Sequence, residues 1–251
     1  MQTVVKFSLL IVLFLAAPIL YAVPDKTIQA AIPSSMPPYV IEATQSGIIL
    51  DIINNIYNKN GYRVDFSFLP NHRVAKEFID KKHALAFGIP NNSSNQDIFY
   101  SDAILSFKNV AITLTTNNFE ISSPSDMKNM SITAFQNATN FLGEQFKEMA
   151  LDNLHYEEIT NQQHQLTLLL KGRTDVIVLE ERIFLYHLKQ LKLSAAIKQQ
   201  FRTHPIFNAA KRYCVFHSAK QRDMFNKGLN TIKQSSEYKD ILNKHITVLK
   251  S

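Results

Sequence analysis

Two acidic pairs, eight histidines and one cysteine are the groups in this chain that could do acid–base, metal or nucleophilic chemistry. Glu157-Glu158 lies in a weakly strand-like run, where neighbouring side chains point to opposite faces. It therefore does not form the facing carboxylate couple that glycoside hydrolysis needs. The histidines include no i,i+4 pair and no ligand-like cluster: His72 and His83 are eleven apart, His155 and His164 nine. Cys214 sits in the apolar run Tyr213-Cys214-Val215-Phe216 with no neighbouring base, which predicts a packed, unreactive thiol. A single cysteine also excludes an intrachain disulfide and a Cys-cluster metal site. GxSxG, HExxH, GxGxxG and Walker spacings are absent. No cofactor and no metal are expected. What remains is Glu180-Glu181, which follows a buried apolar run, and that position matters more than the pairing.

The elements that must position such residues follow from periodicity. Thr27 to Ile32 reads as a strand ended by Pro33, followed by a loop with Pro37-Pro38-Tyr39-Val40-Ile41 and Gly47. From 48 to 60, apolar residues recur at 48/52/56 and 49/53/57, one face of a helix, and Asn60-Gly61 supplies a left-handed stop. Tyr62, Val64, Phe66 and Phe68 alternate with polar residues as a strand, a helix follows from about Asn71 to Lys81, and Ala84 to Gly88 is a short buried strand. Strand, helix, strand with short links predicts a right-handed parallel crossover. The same order recurs with a strand at His155 to Ile159, a helix at Asn161 to Lys171 and a strand at Thr174 to Leu179. Between the two units lie a strand at Asn109 to Thr116 and a helix N-capped by Thr139, with Phe141, Leu142, Phe146 and Met149 on its face. A strand at 212 to 217 and helices at about 219–233 and 236–246 end the chain. Two α/β units with a cleft between them is the expected architecture.

Composition bounds the partners. The chain has 251 residues, 45% hydrophobic and 19% charged, enough apolar content for a large core and incompatible with disorder. Its net charge of +6 is not gathered into a block; Lys81-Lys82 and Lys211-Arg212 are the densest basic spots and read as solvated surface. No basic stripe interleaves with aromatics, so a nucleic-acid footprint is not expected. Residues 7 to 20 form an uncharged run of fourteen after Lys6, broken by Pro18 and followed by Leu20-Tyr21-Ala22. That is short of the about 20 apolar residues a bilayer span needs and matches a cleaved signal peptide, residues 1–22, cut after Ala22. The mature part is expected in the periplasm, without a membrane span.

In open α/β sheets, ligands bind beyond the carboxyl ends of the strands. Four places lie there: the Tyr39 loop, Ile89 to Asp97, Gln136 to Thr139, and Glu180. Arg73, at the start of a helix after Pro70, is placed either on the cleft side or facing solvent. The helix dipole disfavours a cation there and asks for a compensating anion.

These residues carry a resemblance. PPYVIEATQSGIILDIINNIY, ALAFGIPNNSS, IFYSDAILSFKNVAITL, SPSDMKNMSITAF, LLLKGRTDVIVLEE and the tail from Ala210 to His245 together resemble, in order and spacing, bacterial family 3 extracytoplasmic solute-binding proteins of amino-acid ABC transport. The resemblance implies a type II periplasmic binding protein fold of the α/β class, two lobes each with a mixed sheet flanked by helices. The first lobe would be residues 23–112 plus 214–251 and the second 113–213. It also implies a monomer that takes a small polar organic solute and delivers it to an ABC permease. An orphan sensor without a permease, or a small cleft enzyme of dehydratase type with Glu180 as its acid or base, are the alternatives.

Carried over by position, Tyr39 is the aromatic flanking the solute. Glu180 stands where an acid receives an ammonium group or caps a helix, and Asn137 to Thr139 is the carboxylate cradle. In the loop after Gly88 the family commonly places an arginine; here it reads IPNNSSNQDIF, leaving the Asn91 and Asn92 amides, with Arg73 as the substitute cation. That departure predicts a polar or charged solute other than a neutral unmodified α-amino acid.

Overall fold

The computed structural model describes residues 26–34, 36–90 and 98–245. Residues 1–22, read as the export signal, and Asn91 and Asn92 lie outside the described residues.

The chain opens with β1 (Lys26–Pro33), α1 (Ile48–Asn58), β2 (Tyr62–Leu69), α2 (Asn71–Ile79), β3 (Leu85–Phe87) and β4 (Phe99–Tyr100). It then crosses through β5 (Leu105–Phe107) into β6 (Asn109–Leu114), β7 (Ile132–Phe135), α3 (Ala138–Phe141), α4 (Glu144–Leu151), β8 (Tyr156–Ile159), α5 (Gln162–Leu170) and β9 (Val176–Glu180). After α6 (Glu181–Gln190), α7 (Ala195–Lys198) and β10 (Phe201–His204), it returns through β11 (Ala210–Arg212) to β12 (Cys214–Phe216), α8 (Ala219–Gln234) and α9 (Glu237–Lys244).

Two five-stranded mixed sheets result, ordered β2-β1-β3-β12-β4 and β8-β7-β9-β6-β10. In each, three parallel strands are followed by two antiparallel steps. The second lobe therefore repeats the first in topology, as the recurring strand-helix-strand order in the sequence suggests. The link between them is the antiparallel pair β5–β11, with Phe107 opposite Ala210 and Leu105 opposite Arg212. All six residues of β6 pair within the second sheet, so the sequence-based division at 112/113 falls inside that strand.

Burial on both faces explains why the inner strands read as continuous apolar runs. Ala30 and Ile32 of β1 enter one core while Ala31 enters another; Ile177 and Leu179 of β9 face one core, Val176 and Val178 the other. The cluster shared by Ala30, Ile32, Ile177 and Leu179 extends through both lobes and includes Leu105 and Phe107 of the crossover. Cys214 is fully buried in β12, where burial pushes its thiol well up, in keeping with an inert role.

Helix boundaries shift for local reasons. Thr139 is not an N-cap: α3 starts at Ala138, after Asn137 in a left-handed conformation. The helix expected to run on through Met149 breaks at Gly143, whose φ of 91° lets the chain turn before α4 begins at Glu144. Among the described residues no helix is long and apolar enough to cross a membrane.

Candidate functional site

The site is built where both sheets meet the crossover strands. Tyr39 is held there by the start of α1. Ile48 N–H donates to the Pro38 carbonyl and Ile49 N–H to the Tyr39 carbonyl, each at 3.0 Å, so two otherwise orphaned helix donors fix the loop. Gly47 makes this approach possible. A Cβ there would stand 2.5 Å from the Tyr39 carbonyl oxygen, and its backbone (φ 131°, ψ 163°) lies in a region only glycine visits readily. The Tyr39 ring is fully buried and packs on Phe107, centroids 4.5 Å apart and planes tilted by 37°.

Glu180 comes from the opposite sheet. It ends β9 and N-caps α6: its carboxylate accepts from the backbone N–H of Arg182 at 2.7 Å and of Ile183 at 3.1 Å. Its other oxygen accepts the backbone N–H of Lys108, at 3.1 Å, from the residue just before β6. Burial raises the Glu180 pKa, and these backbone donors, the Tyr39 hydroxyl and the Arg182 charge oppose the rise without cancelling it. Of the two roles the sequence leaves open for Glu180, ammonium acceptor or helix cap, the structure shows the cap.

Two arginines complete the junction. Arg182 aims Nη1 at the Ser106 carbonyl (3.4 Å), the Tyr39 hydroxyl (3.5 Å) and Glu180 Oε1 (3.9 Å). It thereby touches the first lobe, the crossover and its own lobe at once. Burial pulls its pKa down, but Tyr39 and Glu180 more than offset this. Arg212, from β11, lies over the Phe107 ring with its guanidinium carbon 4.4 Å from the centroid, and burial lowers its pKa. For the phenol of Tyr39, burial and then the Glu180 charge push the pKa up, so it stays protonated.

Among the described residues, the expected contacts Arg73 and Thr139 have internal partners. Arg73, its side chain 53% exposed, pairs with Glu77 one turn along α2, which supplies the anion its position asks for. Thr139 donates both its backbone N–H and its hydroxyl to Glu158 Oε1, at 3.1 Å each, and Asn137 N–H donates to Oε2 at 2.5 Å. The Tyr156 hydroxyl adds a bond of 2.7 Å. The expected carboxylate cradle is thus filled by the protein's own carboxylate. Burial would raise the pKa of Glu158, but these donors hold it below its ordinary value. Asp51 binds Lys244 (2.9 Å) and His245 (2.8 Å), tying α1 to the end of α9.

Sequence reasoning misses Arg182, Arg212 and Phe107. Lys211-Arg212 reads as one solvated basic spot, but the period of two on β11 separates its members: Lys211 is exposed, whereas Arg212 is half-buried. Among the described residues no group of three or more His, Cys, Asp or Glu is placed to hold a metal.

Two mixed sheets flanked by helices, joined by paired crossover strands and facing each other across Tyr39 and Glu180, define the type II periplasmic binding fold. Solved structures share it. The ligand-binding core of GluR0 in complex with L-glutamate superposes with a TM-score of 0.68 at 12% identity, covering 88% of this chain and 98% of that one. An ancestral arginine-binding protein bound to arginine gives 0.64 at 18% identity, covering 88% and 99%. The L-cystine solute receptor of Neisseria gonorrhoeae in its open form gives 0.65 at 14%, covering 89% and 94%. No family model matches the sequence, and no curated protein does.

Proposed function

We propose that this chain is an extracytoplasmic receptor that closes two lobes on a small polar or charged organic solute and hands it to an ABC-type permease. The observation that carries the reading is the junction itself. Tyr39 from the loop after β1, Phe107 and Arg212 from the crossover strands, Glu180 from the end of β9 and Arg182 from α6 converge beside the crossover. Groups from both lobes meeting beside two short connecting strands are what ligand-driven closure requires, because a solute can shift the open–closed balance only through contacts it makes better in one state. The three superposed proteins, one with glutamate, one with arginine and one a cystine receptor, support a solute of amino-acid size.

In this reading Glu180 works through others: it caps α6, anchors Lys108 and orients Arg182 toward Tyr39. Asn91, Asn92, Arg73 and Thr139 remain proposed contributors, the last two by exchanging their internal carboxylate partners for the solute. The lobes exchange within the β5–β11 pair, close to the boundaries at 112 and 213.

A thermal-shift screen of amino acids, organic acids, amines and short peptides tests the proposal, with small-angle scattering on any stabilising compound. The expected result is a solute that raises the melting temperature and reduces the radius of gyration. Stabilisation without compaction would overturn closure, and no stabilisation by any class would overturn the receptor reading.

A further inference from the structure

Charge at the junction is unevenly compensated. Arg182 lies near Glu180 and also feels Glu181 on the first turn of α6. Among the described residues the Arg212 side chain makes no close ion pair and no hydrogen bond; Glu180 and Tyr39 favour its charge from a distance, and its direct contact is with the face of Phe107. A guanidinium stacked on a ring keeps its N–H donors in its own plane, free for an in-plane acceptor. Half-burial without a hydrogen-bond acceptor disfavours the Arg212 charge, and the nearby Tyr39 and Glu180 offset only part of that cost. Glu180, by contrast, has both oxygens committed to backbone donors from Lys108, Arg182 and Ile183. Its carboxylate is spent on structure.

We infer that the solute is a small organic acid whose carboxylate docks on Arg212 at the β5–β11 crossover, with Arg182 alongside, and that an amino group is not required for recognition. This rests on the receptor reading above and narrows its solute class. The carboxylate accepts two parallel N–H bonds from the Arg212 fork, supplying the missing acceptors. The guanidinium stays held against Phe107 by the ring contact it already makes.

The experiment uses the secreted chain and calorimetric titration with succinate, malate and benzoate as acids, putrescine and choline as cations, and glutamine as a zwitterion. The expected result is that at least one acid binds and both cations do not. Arg212→Gln should then weaken that acid about 30-fold or more, Arg212→Lys should recover only part of the loss, and added salt should weaken binding further. Arg212→Gln should also leave the melting temperature of the free protein close to wild type, since the ring contact it loses is offset by removing a half-buried charge with no hydrogen-bond acceptor; a merely structural arginine would lower it. Binding of a cation or of glutamine with Arg212→Gln at wild-type affinity would overturn the inference and leave the receptor standing. A fall in free-protein melting temperature with unchanged affinity for the acid would overturn it too. Failure of all three acids would overturn the inference, whereas the receptor reading falls only if the broader thermal-shift screen also finds no stabilising compound.

Discussion

Glu180 Oε1 accepts the backbone N–H of Lys108 at 3.1 Å, so the carboxylate that caps α6 also holds the strand entering the second lobe. Glu181 N–H donates in return to the Lys108 carbonyl at 2.8 Å, closing a two-bond clamp between β9 and the crossover. Removing the carboxylate loses the cap and leaves the part-buried Lys108 N–H without its acceptor. Glu180→Ala is therefore expected to lower stability by about 2 to 4 kcal/mol. Glu180→Gln, which keeps one acceptor for the cap, should lose less. Urea unfolding of both variants checks the order. If Glu180→Ala unfolds like wild type but loses solute binding, the acid is a direct contact and not a clamp.

Gly47→Ala probes the positioning of Tyr39. The added methyl would meet the Tyr39 carbonyl oxygen at 2.5 Å, backbone against backbone, in a conformation that disfavours any side chain. A loss of about 2 to 4 kcal/mol is expected, combining backbone strain with displacement of the loop. The chain has nine tyrosines and no tryptophan, so tyrosine emission, summed over all of them, reports unfolding. A variant as stable as wild type would show that the α1 entry can shift without moving Tyr39.

Much of the architecture is legible because it is written in local period. The 48/52/56 and 49/53/57 rows on α1 are buried as read, and β2 forms over the stretch of strict alternation. What stays hidden is non-local. β5 and β11 have three residues each and pair only with one another across about a hundred positions, so no local pattern could mark them as the crossover pair. Beyond the cap position at Glu180, the extent of α6 escapes a sequence reading because its first turn is charged and its buried face, Ile183, Phe184 and Leu188, is sparse. At the site, the placement of Tyr39 and Glu180 at strand ends follows from fold logic. The occupation of Thr139 by Glu158 could not be foreseen, because it depends on a register in which Ala134 of β7 stands opposite Glu158 of β8.

Export makes a separate prediction from residues outside the described structure. The apolar run from 7 to 20 and the small-residue boundary at Ala22 predict a mature chain that begins at Val23. Intact-mass measurement of protein recovered from the periplasmic fraction should show residues 1–22 missing. A species that retains them would mark the run as an anchor.

Glu158 should govern part of the acid limb of stability. Burial alone would raise its pKa, but the hydrogen bonds from Tyr156, Thr139 and Asn137 outweigh burial and leave it below the ordinary value. A carboxylate depressed in the folded state contributes stability that is fully present above its unfolded pKa, about 4.3, and is lost as pH falls through the lower folded value. Glu180 acts in the opposite sense: burial raises its pKa, so the folded state gains relative to the unfolded one as that group takes up its proton. The acid profile of the wild type contains both slopes, with Asp126, held below its ordinary value by the Ser122 and Ser123 backbone donors, acting in the same sense as Glu158. Glu158→Gln is expected to cost roughly 1 kcal/mol at neutral pH, through weaker bonds to Thr139 and Asn137 at the start of α3. It should then lose less stability than wild type between pH values of about 5 and 3, because its own proton uptake is gone. Urea midpoints followed by tyrosine emission across that range measure both effects. If the variant tracks the wild type in parallel down to the lowest pH, Glu158 does not titrate in the folded state as its donors imply.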